Sequence, residues 1–334
     1  MNETMIKPSD TIIAYFADTV IRHKATSGGI GSCIIKELFY RKRINSSISF
    51  KFDKENLKYS PELIQSYDDY AVSGSIYHEI NLINFIKENI GNIKSPFACF
   101  ALPCQVTPIK SILDKNNIES YIIELTCSSQ QRYEATEFLI KKSNINKKDI
   151  SMIKYRGNGW PGGTHITLHN GESIFFDNTN SIWTKIFHSH LFIVQRCFLC
   201  SPTKETASDI ILADPWNIDH PKDEKEGRSL CFIKTLKMAS LLNELADESA
   251  IIYEKRDRTD FLRSQLGVII RKNFNLKHKG LTKLNKKILN SELYRNIVLK
   301  SDFTFKLHCF IYKYTFRILH KIEKTLNKNI QTFK

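Results

Sequence analysis

The stretch "SPFACFALPCQVTPIKSILDKNNIESYIIELTCS", residues 95–128, decides the fold. Its first apolar run is short and continuous, the pattern of a buried strand. Pro103 breaks that run, and "VTPIKSILDKN" resumes with helical spacing. "YIIELTCS" is a second apolar run, ending near Cys127. Strand, loop, helix and strand in that order predict an α/β fold with a mainly parallel sheet, with α+β as the open alternative. Ligand sites in such sheets gather at the carboxyl ends of strands, which is where Cys104 and Cys127 fall.

Outward from there, "KATSGGIGSCIIKELFYRK" at 24–42 carries Ile30, Ile34, Ile35, Leu38 and Phe39 at helical spacing behind a glycine-rich turn. Such a turn is either a tight helix cap or a phosphate cradle of backbone N–H groups. "IYHEINLINFIKENI" at 76–90 is helical in pattern. "ISMIKYRGNGWPGGTHITLHNGESIFF" at 150–176 alternates, breaks at its Gly/Pro cluster and turns at Asn170-Gly171, so it predicts a β-meander insertion. "SDIILADPW" is a further strand, and "SLCFIKTLKMASLLNELA" is a strand running into a helix.

The chain has 334 residues, 42% of them hydrophobic and 25% charged, the composition of an ordinary globular protein. No run approaches the roughly 18 apolar residues of a membrane span. The first residues, "MNETMIKPSDTIIAYF", lack the pattern of a secretory signal, so the expected location is the cytoplasm. The net charge of +14 is uneven: residues 251–334 hold 20 Lys and Arg against 6 Asp and Glu, while the first 250 hold 29 of each. The expected organisation is a neutral body, 1–250, and a helical, basic C-terminal region, 251–334.

Eight cysteines in a reducing compartment point away from disulfides. Cys33, Cys99, Cys231 and Cys309 are isolated and read as small core residues. In "RCFLCSPTKETASDIILADPW", residues 196–216, Cys197 and Cys200 are spaced to present two thiolates to one centre. A metal clamp, a redox dithiol and two core residues are all compatible with that spacing; the loop-like sequence after the pair disfavours a thioredoxin-type dithiol. With Cys104 and Cys127 the pair completes a four-thiolate count that suits zinc or an iron–sulfur cluster.

These segments resemble the coenzyme F420 hydrogenase/dehydrogenase beta-subunit family. "ALPCQVTPIKSIL" is similar to its Gly-Thr-Pro-Cys-Gln segment, "IIELTCS" to its strand ending in Cys-His-Gly, and "YRGNGWPGG" to its Arg-Gly-x-Gly-Trp segment. The 196–216 stretch resembles its Arg-Cys-x-x-Cys followed by Gly-Asp-x-Trp, and "KATSGGIGSCIIKELF" its N-terminal Ser-Gly-Gly opening. The resemblance implies an oxidoreductase with a [4Fe–4S] cluster on Cys104, Cys127, Cys197 and Cys200. It also implies a flavin, FAD, against Ser27, Gly28 and Gly29, with Arg156 as anion partner and Trp160 as stacking surface. The family's additional ferredoxin-like cysteine module is not matched in this sequence. Ala101-Leu102, Ser128-Ser129 and Ala213-Asp214-Pro215-Trp216 depart from the family's small residues around the cysteines.

Relatives of this short form accompany bacterial surface-polysaccharide enzymes, so the resemblance implies a small-molecule or saccharide substrate and an external electron donor. The competing reading is a non-catalytic protein with a zinc site on the same cysteines. His165, His169, His188 and His190 are the histidines near these motifs, and each reads first as structural. In the tail, Leu307, Phe310 or Ile311, Tyr314, Ile318, Ile322 and Leu326 form an apolar stripe amid Lys and Arg. That pattern predicts peripheral contact with the inner face of a membrane, a partner surface, or a helix packed on its own domain. No nucleic-acid motif accompanies it.

Overall fold

The computed structural model describes residues 5–200, 206–218 and 224–326. Packing divides the chain into two units. The first comprises Met1–Cys127, Asn146–Asn178 and Glu205–Gln265; the second comprises Ser128–Ile145, Thr179–Lys204 and Leu266–Lys334.

All strands among the described residues belong to the first unit. They are β1 (Thr11–Phe16), β2 (Ser46–Asp53), β3 (Lys58–Ile64), β4 (Phe97–Ala101), β5 (Ser120–Leu125), β6 (Ile150–Lys154), β7 (Gly163–Leu168), β8 (Ser173–Asp177), β9 (Ile210–Ala213), β10 (Ser229–Ile233) and β11 (Ile251–Arg256). The main sheet has eight strands in the order β11-β1-β10-β9-β5-β4-β2-β3, and β6-β7-β8 form a separate antiparallel sheet. The fold is therefore α/β, with the expected meander and helical C-terminal region. The parallel part is the centre, β2-β4-β5-β9, where the quoted βαβ unit lies. Both flanks are antiparallel: β3 on one side, and β10, β1 and β11 on the other.

Local chemistry explains the βαβ unit. β4 and β5 are buried along nearly their whole length, as central parallel strands are. Pro103 opens the helix Pro103–Lys115 at a position where its missing N–H costs nothing, and Gln105 Oε1 accepts from Leu102 N at 3.0 Å. Val106, Ile109 and Leu113 then pack with Phe97, Cys99 and Ile122 beneath them. On the sheet's other part, the helix Ile30–Tyr40 buries Ile30, Cys33, Ile34, Ile35 and Leu38 in one cluster with Ile12, Ile123 and Leu212.

The basic region opens with a strand, because Ile251 to Arg256 pair along β1 from Phe16 back to Thr11. The helix Arg258–Lys277 follows, and then Lys279–Asn290, Glu292–Lys300 and Asp302–Leu326. In the second unit Phe138 meets Phe192 at 5.5 Å and Phe305 at 5.1 Å between ring centroids, in a core with Trp183 and Ile186. No helix among the described residues is long and apolar enough to cross a membrane.

Candidate functional site

Cys104 stands on the first turn of the helix after β4, and Cys127 two residues beyond the end of β5. These strands are parallel neighbours, so both cysteines follow carboxyl ends at the same edge of the sheet. β9 is the next parallel strand, and it delivers Asp214 directly after Ala213.

Asp214 takes both ends of the Arg156 guanidinium, NH1 on Oδ2 and NH2 on Oδ1, the second at 3.1 Å. Arg156 Nε donates to Pro161 O at 3.0 Å, and the guanidinium lies 5.3 Å from the Trp216 ring centre. Burial works against the Arg156 charge, but Asp214 and Tyr77 outweigh it and hold the group above its ordinary value. Tyr77 accepts from Arg156 and lies within electrostatic reach of Cys127. Burial pushes its phenol up, with Arg156 pulling partly back, so the Oη–H proton is retained. Sequence reading passed over Tyr77; the Ser73-Gly74-Ser75 break before it was the available signal. Gly74 is obligatory there, since a Cβ would stand 1.9 Å from Arg156 O and φ is +71°.

Trp160 packs on Trp216, ring centroids 5.3 Å apart, and its backbone N–H meets Lys225 O at 2.5 Å. Gly227 leaves room for that ring, because a Cβ would come within 2.8 Å of Trp160 Cβ. Arg156 and Trp160 are thus brought into one cluster with Asp214, Trp216 and Tyr77.

Ser27, Gly28 and Gly29 adjoin this cluster through the residues before them: Ser75 N donates to Thr26 Oγ1 at 2.7 Å, and Gly159 N to His23 O at 3.0 Å. Ser27 Oγ donates to Arg228 O, and a Cβ on Gly28 would stand 2.5 Å from both Ala14 O and Ser229 N. Gly29, at φ +76°, caps the helix Ile30–Tyr40 without a side-chain hydrogen bond to the first turn. Ser27 and Gly28 therefore have internal duties, while the helix start after Gly29 keeps the character of an anion-attracting end.

Cys197 lies within the short 3-10 turn Gln195–Leu199 of the second unit, and Cys200 caps its end. Lys272 Nζ lies 3.6 Å from Cys200 Sγ, giving that sulfur a positive neighbour. Arg196 donates to Gln130 Oε1 at 2.6 Å, which pins the turn. Residues 201–205, which the sequence reads as loop, lie outside the described residues.

The eight cysteines fall into distinct environments. Cys104 is exposed, and Cys127, Cys197 and Cys200 are partly exposed; Cys33, Cys99 and Cys231 are buried. Burial pushes the Cys99 thiol up to about 12 and lifts those of Cys33 and Cys231 further. Cys309 is partly exposed, but burial of its sulfur pushes it up to about 11. The four candidates are soft donors reached by solvent, which fits an iron–sulfur or zinc ligand set. Cys104 and Cys127 belong to the first unit, Cys197 and Cys200 to the second. Among the described residues no three His, Cys, Asp or Glu side chains are gathered to hold a metal ion.

His190 Nδ1 meets Tyr312 Oη at 2.9 Å, and His165 packs on Phe175.

Residues 95–259 match the family model that describes the carboxy-terminal part of the coenzyme F420 hydrogenase/dehydrogenase beta subunit. Through that segment the chain is similar to the beta-subunit family. The matched residues include all four candidate cysteines, Arg156, Trp160, Asp214 and Trp216, and exclude Ser27, Gly28, Gly29 and Tyr77. A chain of the F420-reducing [NiFe] hydrogenase complex from Methanosarcina barkeri, studied by xenon derivatization, is similar in fold. The TM-score is 0.59 at 13% identity, over 87% of this chain and 96% of that one. No curated protein matches the sequence. The fold is similar to that of this hydrogenase chain.

Proposed function

We propose that the protein is an oxidoreductase that uses a [4Fe–4S] cluster on Cys104, Cys127, Cys197 and Cys200 together with FAD. The observation that carries this is the sorting of the cysteines: the candidate ligands are reached by solvent, while Cys33, Cys99 and Cys231 are buried. Flavin and cluster together would supply exchange between hydride and single-electron chemistry. FAD phosphates would sit at the helix start after Gly29.

The chain's own residues do the remaining work. Arg156, fixed by Asp214, orients the loop that carries Trp160 through its bond to Pro161 O. Trp160 and Trp216 shield the carboxyl end of β9 from water. Tyr77 holds a proton at Oη beside Arg156, available at the edge of the sheet where Cys127 lies. We extend the proposal to a saccharide substrate of surface-polysaccharide biosynthesis and an external electron donor, supported by family resemblance alone.

Anaerobic purification with metal, sulfide and flavin analysis tests the reading. Iron and acid-labile sulfide each near four per chain, with flavin absorbance, are expected. Cys104→Ala should lose most of the iron. Stoichiometric zinc with no visible absorbance would establish the structural-metal alternative instead.

A further inference from the structure

The helix Asp302–Leu326 turns two different apolar faces to its surroundings. It packs through Phe305 and His308, which are 1% and 6% exposed, and through Tyr312, whose hydroxyl meets His190. His308 Nε2 lies 2.9 Å from Ser189 O, and Tyr294 Oη 2.9 Å from His308 Nδ1, so the polar atoms on this inner face are satisfied. The stripe read from the sequence is not this face. Phe303, Leu307, Phe310, Ile311, Tyr314 and Ile318 are exposed, Phe303 to 74% and Phe310 to 58%. Their spacing places them along one line of the helix. Ile322 and Leu326 continue the line in sequence, but their side chains lie outside the described residues.

Charge borders this line on one side. Lys306, Lys313 and Arg317 repeat at the seven- and four-residue intervals that align them next to the stripe, and all three are exposed. The helix Lys279–Asn290 repeats the arrangement: Leu281, Leu284 and Ile288 are exposed beside exposed Lys279, Lys283 and Lys287, while Thr282 and Leu289 are buried. From 279 to 321 the sequence has ten Lys and Arg against Glu292 and Asp302 alone.

We propose that the outward stripe of Asp302–Leu326 seats the protein on an anionic membrane surface. Apolar side chains of this size left in water, rimmed by charge of one sign, are complementary to acyl chains beneath phosphate headgroups. A protein partner of ordinary surface would leave most of those cations without counter-charges. The helix lies in the interface rather than across it, since nothing among the described residues meets the length and hydropathy of a span. Vesicle binding reads this surface without turnover, so its outcome is separate from that of the redox proposal.

The test is sedimentation of the full chain with vesicles of phosphatidylcholine alone or mixed with phosphatidylglycerol. Binding to the mixed vesicles should be at least about tenfold tighter than to neutral ones and should weaken with salt. Phe310→Ser with Ile311→Ser and Ile318→Ser, and separately Lys306→Glu with Lys313→Glu, should each weaken it by about tenfold or more. These positions are exposed, so circular dichroism should match the wild type; if the serine variant loses helix, the charge-reversal variant alone decides. Failure of the wild type to sediment with mixed vesicles, or wild-type binding by a folded variant, overturns the proposal. So does a stripe-dependent dimer, seen by sedimentation equilibrium, that does not bind vesicles.

Discussion

Asp214 grips Arg156 by two guanidinium nitrogens while the arginine is only 4% exposed. Asp214 directly follows the parallel strand β9, and Arg156 follows the meander strand β6, so one ion pair ties the two sheets of the first unit together. A buried pair of this kind adds little over an apolar substitute, yet it is costly to break from one side.

Asp214→Asn should therefore destabilise the protein by about 3 kcal/mol or more, because a buried cation loses its counter-charge. The combined Arg156→Met and Asp214→Leu variant should lie closer to wild type than either single change. Urea unfolding followed by circular dichroism measures this. An Asp214→Asn midpoint equal to wild type would show that the pair has no structural role.

Gly28 is enclosed by the backbones of β1 and β10, with Ala14 O and Ser229 N both 2.5 Å from where a Cβ would stand. Neither neighbour is a movable side chain. Gly28→Ala should cost about 2 kcal/mol or more through forced separation of the strands. Gly91→Ala, with nothing within 4 Å, is the matched control and should change stability by less than about 0.5 kcal/mol.

Alkylation at mildly alkaline pH should separate the cysteines. In cofactor-free native protein, Cys104 should react first and Cys127, Cys197 and Cys200 next, as read by peptide mass spectrometry. Cys33, Cys99 and Cys231 should stay unmodified until denaturant is added, because burial both shields them and raises their thiols. Anaerobic reconstitution with iron and sulfide should then protect the first four and leave the buried three unchanged. Continued rapid labelling of Cys104 after iron uptake would remove it from the ligand set.

Acid should loosen the second unit. Burial lowers His190 well below its ordinary 6.5, with Arg271, His188 and His308 adding to the effect. His188 is lowered by burial, Arg271 and Lys313; His308 by burial, against a backbone hydrogen bond to Ser189. The unfolded chain thus binds more protons than the folded one in this range, and stability rises with pH. The contribution is present above pH 6.5 and is lost as pH falls below it, by up to about 1.4 kcal/mol per pH unit for each histidine. His190→Asn should flatten the slope of stability between neutral pH and about pH 5; an unchanged slope would exclude His190 as a contributor.

The sequence by itself determined the βαβ unit at 95–128, the meander and the strand ending before Asp214. Those features are local: apolar period, a proline at a helix start and an Asn-Gly turn are readable within a few residues. Tertiary structure alone decided the antiparallel flanks, since β1 pairs with β10 and β11 more than 200 residues away and no local pattern names such a partner. It also decided that Arg156 faces Asp214 and Tyr77, and that Ser27 and Gly28 are held by Arg228 and by the β1 and β10 backbones. In the last helix the sequence shows an apolar stripe without showing whether it packs inward, and only the tertiary structure decided that. Phe305 fits against Phe138, and His308 and Tyr312 find partners on the inner side, so the line from Phe303 to Ile318 is left facing outward.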